Sequence, residues 1–123
     1  MIEGLIVGHR DIGAGILKAL KSISGSFEHL SYISNEGFST TELVAEIKSS
    51  FSSDGENELI IFIDVYGGSC WQAAKIAKPI KSHIITGVNL PMLLSFINKR
   101  ELFSLDELPA ILEKDGKRGI KSE

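Results

Sequence analysis

Residues 58–74 read ELIIFIDVYGGSCWQAA. The run from Glu58 to Val65 is the most apolar in the chain, and its apolar residues do not alternate with polar ones. Such a run suits a strand covered on both faces, as in a parallel sheet. It carries Asp64 at its end, turns through Gly67 and Gly68, and passes into the helical pattern SCWQAAKIAKPI, which Pro79 ends. Working outward, three further runs have strand length: Ile2 to Val7, Leu30 to Ser34, and His83 to Asn89.

Helical patterns lie between these runs. Ile12, Ile16, Leu17, Leu20 and Ile23 form one stripe, closed by Gly25. Ser39-Thr40-Thr41-Glu42 has the form of a capping box, and Leu43, Val44 and Ile47 follow as a buried face. Pro91 stands where a helix starts, before MLLSFINKR. Ser104-Leu105-Asp106-Glu107 has the form of a second capping box, opening a helix that Pro109 joins in its first turn or bends. The terminal GKRGIKSE offers a short fifth strand. The order βαβαβαβα(α)β, without repeat or long linker, predicts one domain over residues 1–123. Its fold is an open, mainly parallel α/β sheet with helices on both faces and right-handed crossovers.

The totals agree with a single domain. The chain has 123 residues, 43% hydrophobic and 24% charged, enough to bury roughly two-thirds of the unfolded surface. A net charge of −3 with scattered basic residues argues against nucleic acid or an anionic membrane as partner. One cysteine, Cys70, rules out an internal disulfide and fits a reducing compartment. The start, MIEGLIVGHR, lacks the pattern of a signal peptide, and no stretch approaches the ~20 apolar residues that cross a bilayer. A cytoplasmic protein is expected.

In open α/β sheets, ligands gather beyond the C-terminal strand ends, at the point where strand order switches. The first run delivers His9 there, the third delivers Asp64 ahead of Tyr66-Gly67-Gly68-Ser69, and the fourth delivers Gly87, Val88 and Asn89. If the first and third strands are neighbours, His9 and Asp64 meet. A neutral imidazole can attack phosphorus, and a carboxylate on its other nitrogen sets the tautomer and stabilises the imidazolium that develops. The Gly67-Gly68-Ser69 turn opens a helix, whose unpaired N–H groups and Ser69 hydroxyl suit phosphoryl oxygens. Reversible phosphoryl transfer through phosphohistidine is the chemistry these residues support together.

Three segments carry a family resemblance. HRDIGAGIL resembles the H-G-x-L-A-x-G-L-L stretch of the mannose-type IIA components of the bacterial phosphoenolpyruvate:sugar phosphotransferase system. FIDVYGGSCWQAA resembles that family's [VL]-D-x-x-G-G-[ST]-P-x-N-A-A, and GVNLPMLL its G-[VI]-N-[LI]-P-M-L. GKRGIK is similar to the family's C-terminal G-x-x-x-[IV] segment. The resemblance implies a sheet of order 2-1-3-4 and a phosphotransferase role in sugar uptake. His9 would take phosphate from the histidine phosphocarrier protein and pass it to a IIB component that serves a membrane permease. Asp64 would support His9, and Gly67, Gly68 and Ser69 would line the phosphoryl pocket. A homodimer is implied too, with the last strand, here Gly119 to Lys121, exchanged between subunits. The chain departs from the family pattern at Gly8 (usually Ser or Thr), Arg10 (usually Gly) and Cys70 (usually Pro), and Trp71 and Gln72 replace smaller residues. Arg10 could clamp a phosphoryl group or face solvent.

Other readings compete. With His9 and Asp64, Cys70 could form a nucleophilic set; the plainer reading is a small residue at a helix start. Tyr66, Trp71 and Phe96 are candidates for a docking surface, with Tyr66 and Trp71 flanking the site. His29 and His83 fall at the opposite sheet end and read as surface residues. No H-x-x-x-H, C-x-x-C or paired-carboxylate spacing occurs, so no metal or other cofactor is expected. Gly8, Gly13 and Gly15 have the wrong spacing for a dinucleotide fingerprint. Two further roles would also use His9: a regulatory phosphoprotein read by a partner without transport, and the phosphoryl donor of a dihydroxyacetone kinase.

Overall fold

Four strands, Ile2–Gly8 (β1), Leu30–Ser34 (β2), Glu58–Ile63 (β3) and Ser82–Thr86 (β4), form one parallel sheet in the order β2-β1-β3-β4. The computed structural model describes residues 2–25, 28–51 and 57–123. β1 pairs with β3 from Ile2↔Glu58 to Val7↔Ile63, so the residues just past both strands end side by side. The switch of direction between β1 and β3 therefore lies where His9 and Asp64 emerge.

Five helices cover the sheet: Ile12–Ser24 (α1), Thr40–Ser49 (α2), Ser69–Ala77 (α3), Leu90–Lys99 (α4) and Leu108–Arg118 (α5). The central strands are buried on both faces, and their side chains divide by the pleat. Ile6, Ile60 and Phe62 join Leu20, Leu93, Phe96 and Leu112 in a core under α1, α4 and α5. Val7, Leu59, Ile61 and Ile63 join Leu43, Ile47 and the alanines of α3 in a second core. Near-continuous apolarity in β3 is the direct consequence: each successive residue enters one core or the other. Ala73, Ala74 and Ala77, all buried, present small side chains to the sheet from α3.

Local chemistry accounts for several boundaries. Ser39 and Glu42 form the reciprocal box at the start of α2, with Glu42 N–H to Ser39 Oγ at 3.1 Å and Ser39 N–H to Glu42 Oε1 at 2.9 Å. The serine's hydrogen bonds hold the Glu42 carboxyl below the ordinary carboxylate range. Asn89 caps α4 by accepting from Met92 N–H at 2.9 Å, and its amide reaches Gly116 O in α5 at 3.3 Å. Asn89 thus joins two helices. Asp115 of α5 accepts from Lys99 and Ser95 of α4, and these bonds, Lys99 first, lower its carboxyl from the usual range.

Three expectations change. Ser104 and Glu107 do bond, at 2.9 Å between hydroxyl and carboxylate, but in a turn ahead of α5. The helix begins at Leu108, with Pro109 in its first turn. The serine donates rather than capping a backbone N–H, so the pair braces the approach to the helix. The Gly116-Lys117-Arg118 part of the terminal segment is helical, and Gly119 to Lys121 forms no strand within the chain. Phe96 is fully buried, edge-on to Phe62 with centroids 5.3 Å apart, and is a core residue rather than a docking one.

Candidate functional site

The sheet brings His9 and Asp64 together as β1 and β3 end. The His9 backbone N–H and ring Nδ1 both lie on Asp64 Oδ2, at 2.9 and 2.8 Å. The other oxygen, Oδ1, accepts from Val65 N–H at 3.0 Å. A carboxylate only accepts, so Nδ1 carries a proton, and in the neutral ring Nε2 then presents its lone pair. Asp64 is 8% exposed and His9 44%, which places a fixed acceptor beneath an accessible ring.

Beside that ring stands the start of α3. Gly67 has φ +87°, a conformation that glycine adopts without a Cβ clash, and Gly68 caps the helix without a side chain. A Cβ built on Gly68 would lie 3.5 Å from His9 Cε1 and 3.9 Å from Nε2, so the backbone of this turn is the ring's immediate neighbour. The first-turn N–H groups, those of Ser69 to Trp71, have no acceptor inside the helix and favour an anion. Ser69 is half-buried at its first position. The expected site residues His9, Asp64, Gly67, Gly68 and Ser69 thus converge.

The departures at positions 8 and 10 have structural reasons. A Cβ on Gly8 would come within 2.7 Å of Ile12 Cγ2, so the isoleucine occupies the room a larger residue would need. Arg10 takes φ +49°, left-handed backbone that favours glycine. Its exposed side chain leaves the turn, and its N–H is held at 3.0 Å by Asn35 Oδ1. Asn35 also donates its own N–H to Gly8 O at 3.0 Å. It therefore grips the histidine turn on both sides. The sequence reading did not single out Asn35; its one signal was an Asn-Glu-Gly turn directly after the second strand. The Asn35→Ala protein is expected to lose about 1 kcal/mol of stability in urea denaturation, the scale of one hydrogen bond. Arg10→Gly on that background should recover most of the loss, because glycine needs no tie to hold the turn.

Cys70, fully buried, packs its Sγ 3.9 Å from His9 Nδ1. Burial, with the Asp64 carboxylate adding to it, pushes the thiol up to about 11. A protonated thiol is a weak nucleophile, so Cys70 does not suit the nucleophilic set. Tyr66 and Trp71 stand on either side of the Gly67-Gly68-Ser69 turn in the chain, with ring centroids 4.9 Å apart, and Lys75 Nζ lies 4.8 Å from the Trp71 centroid. Tyr66 is 72% exposed. His29 and His83 stand toward the opposite sheet end, His29 paired with Glu3 at 2.9 Å.

A parallel α/β domain with a histidine and carboxylate paired at its switch point, facing a glycine turn and a helix start, has its candidate site where open α/β folds bind ligands. The family model described as PTS system fructose IIA component matches residues 4–113, and the chain belongs to that family. The family's general role is phosphotransfer in sugar phosphotransferase systems. The chain is 27% identical over 128 residues to the mannose-specific EIIAB component of Escherichia coli K12, covering 99% of this chain and 40% of that protein. It therefore spans well under half of that relative's length. It is 28% identical over 113 residues to the fructose-specific EIIA component of Bacillus subtilis, covering 88% of this chain and 77% of the other. The crystal structure of phosphotransferase system component EIIA from Streptococcus agalactiae superposes with a TM-score of 0.90 at 23% identity, over 99% of this chain and 97% of that one. A mannose/sorbose-specific IIA subunit from Enterococcus faecalis superposes at 0.82 and 18% identity, over 98% and 93%. These two likenesses concern the fold.

Proposed function

We propose that this chain carries a phosphoryl group on His9 Nε2, accepting it from the histidine phosphocarrier protein and passing it to a IIB component during sugar uptake. The pairing of Nδ1–H with Asp64 supports this reading above all else, because it leaves Nε2 unprotonated and turned toward the α3 turn. In the transfer, the Nε2 lone pair forms the new N–P bond. The donor's P–N bond breaks with its electrons returning to the donor nitrogen. The His9 ring gains positive charge as it does so, and Asp64 offsets that charge while the Nδ1 proton stays in place. The N–H groups of the Gly67-Gly68-Ser69 turn and the Ser69 hydroxyl receive the phosphoryl oxygens, and Arg10 lies within one residue of the acceptor to steady their charge. Tyr66 and Trp71 form the ledge on which a protein partner rests.

The test uses the purified chain with phosphoenolpyruvate carrying labelled phosphorus and the system's general components. One acid-labile, base-stable phosphoryl group is expected, and fragment mass spectrometry should map it to His9. Label absent from the chain, or on another residue, overturns the reading.

The dimer is part of the same proposal. The outer edge of β4 pairs with no strand among the described residues. Beside it runs a groove of about 790 Å³, lined by Ile84, Thr86, Met92, Pro109 and Ile120 among others. Ile120, 77% exposed, follows the last helix. An open strand edge beside a groove that mixes apolar residues such as Met92 and Ile120 with charged ones such as Asp106 and Glu113 suits strand addition from a second subunit. Removing residues 119–123 leaves every helix intact and should shift the protein from dimer to monomer in sedimentation equilibrium. A truncated chain that stays dimeric removes the exchanged strand.

A further inference from the structure

We propose that His9, Asp64 and Cys70 form a binding site for a thiophilic divalent cation of the zinc type, and that the cation switches off the phosphoryl acceptor. No local spacing announces such a site, because its three members leave β1, β3 and the first turn of α3 separately. The fold nevertheless places one nitrogen, one oxygen and one sulfur donor within 4.8 Å of one another. Nδ1 lies 2.8 Å from Asp64 Oδ2 and 3.9 Å from Cys70 Sγ.

The two separations from Nδ1 fall on either side of what a small ion needs. Bonds of ~2.0–2.3 Å in tetrahedral geometry hold the donor atoms roughly 3.3–3.8 Å apart. Binding needs side-chain rotations that part nitrogen from oxygen, and the half-exposed His9 ring is the member of the cluster that solvent reaches. Charge fits as well. A carboxylate, a thiolate and a neutral imidazole together offset a divalent ion, and the ion's own charge draws the proton from the Cys70 thiol on binding. Solvent or a small anion completes the fourth position, as in open three-ligand sites.

The consequence follows from imidazole chemistry. In the structure described, Nδ1–H points at Asp64 and Nε2 holds the lone pair that attacks phosphorus. A cation on Nδ1 replaces that proton. The neutral ring then carries its proton on Nε2, and no lone pair remains for the N–P bond. On loading, the Cys70 thiol proton leaves to the buffer, and the Nδ1 proton is exchanged for one on Nε2. The same cation also draws Asp64 away from the charge it would otherwise offset. This consequence rests on the reading of Nε2 as acceptor; the binding site does not.

The test therefore has two arms, both on the full chain. Cobalt(II), used as the spectroscopic stand-in, should give a thiolate-to-metal absorption band that zinc displaces. Cys70→Ala and Cys70→Ser should both lose the band and bind zinc roughly tenfold or more weakly. The two variants guard against one of them misfolding. No band in the parent chain, or equal zinc affinity in both folded variants, overturns the site. In the second arm, zinc at a level that loads the parent chain but not the weaker-binding variants should suppress phosphoryl uptake by the parent, while each variant takes up phosphate at its own zinc-free rate. Undiminished uptake by the loaded parent overturns the switch. If the metal-free parent takes up nothing, the functional reading fails, and the cobalt band still decides the site.

Discussion

The His9→Ala protein is expected to fold as the parent does and to accept no phosphoryl group. Folding should survive because the ring is half-exposed and closes no part of either core. Position 9 keeps its backbone N–H on Asp64 Oδ2, and Val65 N–H stays on Oδ1, so the buried carboxylate retains two donors. Phosphoryl acceptance should vanish because nothing nearby can replace the lost lone pair. Cys70 lies beside the ring, yet its thiol is held up to about 11 by burial and by the Asp64 charge. At neutral pH it stays protonated. The measurement is intact-mass analysis after incubation with phosphoenolpyruvate and the general components. A mass increase of one phosphoryl group on this variant would move the acceptor elsewhere. Its loss on further substitution of Cys70 would name the thiol.

Much of the fold is legible in the residues because the sheet is buried on both sides. Ile60, Ile61, Phe62 and Ile63 are each fully buried, and they alternate between two cores. An unbroken apolar run is what that environment selects. The Ser39–Glu42 box and Pro91 are equally plain, since each works through groups within one turn of chain. Ser104 and Glu107 show the limit of such patterns. The same residue types bond one another ahead of the helix, and where α5 begins depends on its packing against α4. The terminal GKR is helical for the same reason. Gly116 packs so closely on Met92 that an added Cβ would come within 2.8 Å, which draws the last turn of α5 onto α4.

The site was legible only in part. His9, Asp64 and the glycine turn stand out as residues at strand ends, but their meeting depends on β1 lying beside β3. Residue patterns leave that adjacency open, and the family resemblance supplied it. Asn35 was invisible because an asparagine after a strand reads as an ordinary turn former. Its grip on Gly8 and Arg10 exists only because β2 lies on the other side of β1. Cys70 stands six positions from Asp64, and the residues alone leave open whether it joins His9 and Asp64 or simply starts a helix. Its place against the imidazole is set by how deeply α3 sits on the sheet, which the small side chains of Ala73, Ala74 and Ala77 permit.

Asp64→Asn should keep the fold and slow phosphoryl transfer by about 10²–10³-fold, the range seen when a preorganised electrostatic partner is removed. The amide is nearly the same size and still offers one oxygen to the His9 donors. Its NH₂ group, however, replaces an acceptor with a donor. Whichever way the amide is turned, either the His9 pair or Val65 N–H then faces hydrogen instead of a lone pair. If the NH₂ turns to the ring, Nδ1 must become the acceptor and the proton moves to Nε2, where it blocks attack. If the oxygen turns to the ring, the tautomer is kept, but the positive charge that grows during transfer meets no counter-charge. Both outcomes slow the reaction, and they differ in a readable way. Nitrogen NMR of the His9 ring distinguishes Nδ1–H from Nε2–H, and rapid-quench kinetics give the transfer rate on the same sample. A parent-like tautomer with a slow rate assigns Asp64 an electrostatic part, whereas an inverted tautomer assigns it a tautomer-setting one. A rate within a few-fold of the parent would remove the carboxylate from the transfer altogether, however short its bond to the ring.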